Sequence, residues 1–196
     1  MQNENFSPED SIRVIQAMIE KTKFTVADNS YYFLLWGWLV FIGCIGQFVL
    51  KVLVQYPYHY LIWNITFIGI IFSIYHGVKG RGQKKAKTYV SESLDNLWIA
   101  IVVSYILFDF AFVRFGWEGC YTFYMMLYAL GCFVTGRVLK FYPLIWGAIG
   151  SWCLALISTF TPIDYNILLC GLAILISYII PGHLLKRQYR KLDMHV

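Results

Sequence analysis

The chain alternates long apolar runs with short polar breaks, and six of the runs are long enough to cross a bilayer: residues 31–54, 60–78, 95–114, 121–139, 143–160 and 161–185. A hydrocarbon core of ~30 Å is crossed by ~20 residues of α-helix. The pattern predicts an all-α membrane protein built as a six-transmembrane-helix bundle. The breaks carry ordinary helix punctuation. Asp28-Asn29-Ser30 precedes the first run and Pro57 turns the chain between the first two. Thr161-Pro162-Ile163-Asp164 opens the sixth with a hydroxyl cap, a proline at the first helical position and an acid in the first turn.

Ahead of the runs lies a segment of different character. Ser7-Pro8-Glu9-Asp10 repeats the capping logic, and at ~100° per residue Ile12, Val14, Ile15, Met18 and Ile19 then share one side. Glu9, Arg13, Gln16 and Glu20 take the other. Residues 1–30 therefore read as an amphipathic cytoplasmic or interfacial helix, too polar to span. Its polar side mixes signs, which favours a protein partner over a lipid surface. Residues 31–185 form the bundle and residues 186–196 a basic cytoplasmic tail. The polar, slightly acidic start lacks the basic-then-apolar form of a secretory signal, so the first run is expected to persist as an uncleaved anchor.

Composition sharpens this reading. Apolar residues make up 59% and charged residues 14% of the chain, against ~45–50% and ~25% in soluble domains. A soluble fold of this size has nowhere to bury so much apolar surface. The net charge of +5 does not point to nucleic acid, because the cations sit between apolar runs, where they report topology. With the N-terminus inside, Arg13, Lys21, Lys23, Lys79, Arg81, Lys84, Lys85, Lys87, Arg137, Lys140, Lys186, Arg187, Arg190 and Lys191 fall inside. Only Lys51 and Arg114 fall outside. Both termini are expected in the cytoplasm, and Lys79, Arg81, Lys84, Lys85, Lys87, Arg137 and Lys140 give a basic inner face suited to anionic lipid headgroups. Of the cysteines, Cys44, Cys132, Cys153 and Cys170 sit in apolar runs without CxxC spacing, which reads as packing rather than disulfides or zinc. Cys120 is expected toward the outer side.

Two stretches carry a resemblance. Leu34-Leu35-Trp36-Gly37-Trp38-Leu39-Val40-Phe41 and Tyr178-Ile179-Ile180-Pro181-Gly182-His183-Leu184-Leu185-Lys186 resemble an uncharacterised family of small polytopic bacterial inner-membrane proteins. The likeness covers most of the chain and implies a bacterial inner membrane. It implies no activity.

Candidate chemistry is sparse. Asp109 is an acid within an apolar run, costly by ~2.5–3.5 kcal/mol on insertion scales and therefore expected to face the protein interior. Tyr105, one turn earlier, is the expected hydrogen-bond donor to it. With Asn64 they make a candidate intramembrane polar site for a proton, cation or substrate. His76 and His183 end the second and sixth runs and are weak candidates for a metal or pH-sensitive pair. Gln47, Asn64, Thr66, Ser73, Ser104 and Thr135 are expected to bond between helices. Gly147, Ser151 and Ala155, and likewise Ala173, Ser177 and Pro181, recur at every fourth residue and predict close helix contact, or alternatively a hinge or the seam of a homo-oligomer. No phosphate-binding glycine loop, HExxH or GxSxG motif occurs, and nothing implies a cofactor. The expected function is a non-enzymatic accessory, sensory or regulatory role. The alternative is a small transporter or channel using Asp109.

Overall fold

The computed structural model describes residues 8–28, 30–79 and 88–193. Among them every regular element is helical. Helix α1 spans Pro8–Asp28; the Ser7 cap expected before it lies outside the described residues. Helix α2 (Ser30–Phe48) continues through a π-helical turn at Val49–Leu53. A 3₁₀ turn, His59–Asn64, leads into α3 (Ile65–Lys79). Then follow α4 (Tyr89–Phe115), α5 (Cys120–Val138), α6 (Tyr142–Ser158) and α7 (Ile163–Ile174). A second π turn, Leu175–Ile179, joins α7 to α8 (Ile180–Asp193).

Local chemistry explains where these elements depart from the apolar runs. Helix α4 starts before residue 95 because Thr88, in extended conformation, caps it by accepting from the Ser91 amide at 3.1 Å. The expected tail is helical as far as Asp193, since residues 186–193 carry no glycine or proline to stop α8. Between α5 and α6, Lys140 adopts φ 52°. The amide of Phe141 reaches the Gly136 carbonyl at 2.9 Å and that of Lys140 the Arg137 carbonyl at 3.2 Å, a Schellman closure with lysine where glycine is usual.

Helices α5 and α6 pack most extensively on each other, and α7 lies against both and against α2. Helix α3 packs principally on α2, and α4 on α5 with a smaller contact to α1. Small side chains are prominent in the centre, with Cys44, Ala129, Cys132 and Ala148 at 0% exposure beside the larger Leu139 and Ile167. The apolar outer surfaces of α3 (Phe67, Ile68, Ile71) and α4 (Val102, Leu107, Phe110) stay exposed. Three helical stretches, Leu34–Leu53, Tyr89–Phe115 and Ile163–Arg187, are long and apolar enough to cross a membrane. Two further apolar helices, His59–Tyr75 and Tyr142–Ser158, are shorter.

The spacing of four along α6 has a structural outcome. Gly147, Ser151 and Ala155 are buried, and a Cβ at Gly147 would stand 2.5 Å from the Ile176 carbonyl oxygen and 2.7 Å from Ser177 Cα. Those backbone atoms belong to the second π turn. Pro181 offers no N–H to the Ser177 carbonyl one turn back, and its ring crowds that carbonyl, so the helix widens there. Gly147→Ala should therefore destabilise the protein by about 3 kcal/mol, at the upper end for overpacking, in denaturant titration of the purified protein in micelles. At Gly150 the new methyl would meet only the mobile tip of Ile176, at 3.0 Å, so Gly150→Ala should cost less than ~1 kcal/mol; equal losses would contradict the backbone contact.

Candidate functional site

Hydrogen-bonding side chains gather around the first turn of α5. Gly119 supplies φ 79° just before it, and Cys120 starts the helix, buried rather than displayed at a surface. Because each residue turns the helix by ~100°, Tyr121, Thr122 and Tyr124 point in three directions toward three different helices. Tyr121 Oη donates to Gln47 Oε1 on α2 at 2.6 Å. Thr122 Oγ1 lies 2.6 Å from Ser158 Oγ on α6. Tyr124 Oη donates to Asp109 Oδ1 on α4.

Gln47 is the most connected of these partners. It is buried, and its Oε1 also accepts from Trp63 Nε1 at 2.6 Å, while its Nε2 lies 3.3 Å from His59 Nδ1. One amide thus joins α2, the 3₁₀ turn and α5. Nearby, Lys51 Nζ pairs with Asp164 Oδ1 at 2.6 Å and ties the first π turn to the start of α7. Both partners are partly exposed, so the pair contributes at most ~1 kcal/mol. Desolvation, and then the Lys51 charge, lower the His59 pKa below its ordinary value, with Asp164 opposing them. Neutral His59 with Nδ1 unprotonated is the acceptor that Gln47 Nε2 requires.

The residues expected to form one polar site are only partly brought together. Tyr105 does not reach Asp109. Its hydroxyl donates across to the Tyr124 carbonyl at 3.2 Å, and the two rings meet edge-on at 5.5 Å. The phenol of Tyr124, arriving from the neighbouring helix, takes Asp109 instead. Asp109 is exposed rather than interior, and Asn64, also exposed, lies on the 3₁₀ turn that packs on α2 and α3. His183 is exposed on α8, and the His76 side chain lies outside the described residues. Among the described residues no three His, Cys, Asp or Glu side chains cluster as metal ligands. Arg137 and Lys140 are exposed; Arg81, Lys84, Lys85 and Lys87 lie outside the described residues, as does the Lys79 side chain.

Of the polar residues expected to bond between helices, Gln47 does so, and Ser73 accepts from Trp36 Nε1 at 3.2 Å. Thr66 and Ser104 bond back to their own helical backbone at 2.7 and 2.8 Å. Thr135 is buried, with no hydrogen-bond partner for its hydroxyl among the described residues. Sequence reasoning missed Tyr121, Tyr124, His59 and the Lys51–Asp164 pair. The available signal was that Lys51 is one of two cations at the end where Asp164 opens a helix.

No known protein family, curated protein or solved structure matches this chain. The chemistry of the site is read from its own geometry.

Gln47→Leu keeps the volume but leaves the Tyr121 hydroxyl and the Trp63 indole without their acceptor. At ~1–3 kcal/mol for each of the two orphaned donors, it should lower stability by about 2–6 kcal/mol. In a Tyr121→Phe background the loss should shrink, because one donor is already gone; an unchanged loss would show that the two groups do not interact.

A pH titration reads the same network. His59 has a lowered folded pKa, so the unfolded chain binds more protons below about pH 6.5 and stability falls as the pH drops through that value. The fall should level off once the pH lies below the folded pKa. His59→Gln should remove this part of the pH dependence of the thermal midpoint.

Proposed function

We propose that the chain is a six-span protein of the bacterial inner membrane, with both termini cytoplasmic and a non-enzymatic accessory, sensory or regulatory role. The carrying observation is α1. It stands against α8 and α4 outside the packed centre, and Ile12, Val14 and Ile15 are all more than 40% exposed. An apolar face held outside the core of its own fold is available to a partner or to lipid headgroups.

Three further points support this reading. The long helices and the bare apolar surfaces of α3 and α4 suit lipid. The shorter helix Tyr142–Ser158, at ~1.5 Å per residue, falls only slightly short of a ~30 Å hydrocarbon core. Along the sequence, the cations fall mainly in the breaks after the second, fourth and sixth apolar runs and near the two termini, which is the charge bias of cytoplasmic loops. The transport alternative has less support, because the centre is filled by side chains of 0% exposure and Asp109 and Asn64 lie on elements with different neighbours.

Topology and transport are testable together. In a cysteine-free background, Tyr58→Cys and Trp117→Cys should react with an impermeant maleimide in intact spheroplasts, and Arg81→Cys and Lys191→Cys only after lysis. Reversal would overturn the orientation. Purified protein in liposomes should carry no proton or cation flux. A flux that Asp109→Asn weakens would establish the transport alternative instead.

A further inference from the structure

Helix α4 is the least enclosed of the three long apolar stretches: 11% of its apolar window is buried, against 28% for Leu34–Leu53 and 56% for Ile163–Arg187. Its buried residues, Leu94, Ile101 and Phe112, share the side that faces the fold. At ~100° per residue, Ile99, Val103, Ile106, Phe110 and Val113 fall within an arc of about 80° on the opposite side. Each of the five is at least 48% exposed. Their spacing of four, three, four and three is the a/d alternation of a heptad. Val103 and Phe110 take position a, and Ile99, Ile106 and Val113 take position d. The bare side of α3 is different. Its Phe67, Ile68, Ile70 and Ile71 follow no such period, and no charge lies between Ile65 and Tyr75.

Opposite charges stand at the two edges of the α4 stripe. Asp109 precedes Phe110 and takes position g; Arg114 follows Val113 and takes position e. Both are exposed. Tyr124 Oη donates to Asp109 Oδ1 and so holds the carboxylate at the g edge. Its other oxygen has no donor, and Arg114 no acceptor, among the described residues. Within one helix these two residues are ~140° apart and point away from each other. Across two parallel helices the relation changes. Position g of one helix faces the position e that lies five residues on in the other, where ion pairs select partner and direction. Asp109 and Arg114 have this offset. An unpaired carboxylate in an apolar span is unfavourable, and a cation brought to it by a partner offsets that cost. Nearer the other end of α4, exposed Asn96 falls at the preceding position a, where a single polar residue fixes register and strand number.

We propose that α4 is the interface with a second copy of this chain, the two helices packing in parallel from Ile99 to Val113 with reciprocal Asp109–Arg114 ion pairs. A second copy is the fitting occupant because one α4 carries both halves of the pair at the offset that a two-fold axis makes self-complementary. Copies inserted in the same orientation run their α4 helices in the same direction, as the g-to-e pairing requires. The small residues of α6 are already used inside the fold, where Gly147 meets the backbone of Ile176 and Ser177. This pairing rests on the membrane-spanning part of the proposed function and not on the accessory role.

The first test is disulfide crosslinking of the full chain in membranes, in a Cys153→Ser background whose remaining cysteines are buried. With a membrane-permeant oxidant, Val103→Cys, Ile106→Cys and Val113→Cys should each give a covalent dimer, because facing a and d positions bring Cα atoms within ~7 Å. Ile71→Cys on α3 is comparably bare and should stay monomeric. Crosslinking there as complete as on α4 would mark random collision and overturn the proposal. The second test reads energy transfer between donor- and acceptor-labelled copies diluted in liposomes. Asp109→Arg or Arg114→Asp alone sets like charges together and should weaken association about tenfold or more. Mixing the two variants pairs opposite charges again and should restore it. Undiminished association of either variant, or no restoration between variants that keep their helical circular dichroism, would sink the ion pairing. A chain that alkaline carbonate strips from the membrane would overturn the membrane reading itself; one that stays in the membrane as a monomer would overturn this interface alone.

Discussion

Where α6 crosses the π turn between α7 and α8, there is room for a hydrogen atom and no more. Gly147 lies against the backbone of Ile176 and Ser177, and the remaining central packing is arranged around that approach. In lipid, apolar side chains gain little by leaving one apolar medium for another, so association of helices depends on close van der Waals contact and hydrogen bonds. Small residues at the crossing meet that requirement. Ser151, Ala155, Ala173 and Ser177 line the same seam, each at 2% exposure or less. Pro181 shapes the opposite wall, since its missing N–H favours the wider turn that brings the backbone toward α6.

Once α5, α6 and α7 are drawn together in this way, polar groups at one end meet across short distances. The first turn of α5 projects toward α2, α6 and α4 in succession, and each direction finds a hydrogen-bond partner. Tyrosine and tryptophan suit this position, with a ring that packs among apolar neighbours and a polar tip that needs an acceptor. Gln47 provides one for two such tips. A cleft lined by Thr122, Ser158 and Asn166 lies between these same elements, so its shape depends on the seam that sets their spacing. Tyr121 and Thr122, adjacent in sequence, bond to different helices, α2 and α6.

The peripheral helices obey a looser rule. Helix α3 leans on α2 and α4 on α5, and the aromatic rings of Phe108, Phe112, Phe123 and Tyr124 knit the second of these contacts at centroid separations of 5.4–6.1 Å. Their outward faces remain apolar and bare. Helix α1 stands further out still, with apolar side chains exposed beside α8.

The sequence by itself determined the helical class, the positions of most helices to within a few residues, and the stripe on α6 that becomes the central seam. These follow from local causes: run length, capping residues and a four-residue period all act within one segment of chain. Only the tertiary structure decided which side chains meet. Asp109 takes its hydrogen bond from Tyr124 rather than Tyr105, and Gln47 becomes a junction. The adjacent Tyr121 and Thr122 turn to different helices. Such pairings depend on the rotation and spacing of helices distant in sequence, to within a fraction of an ångström. Periodicity along one helix records that it has a contact face, but not which atoms the neighbouring helix will bring to it.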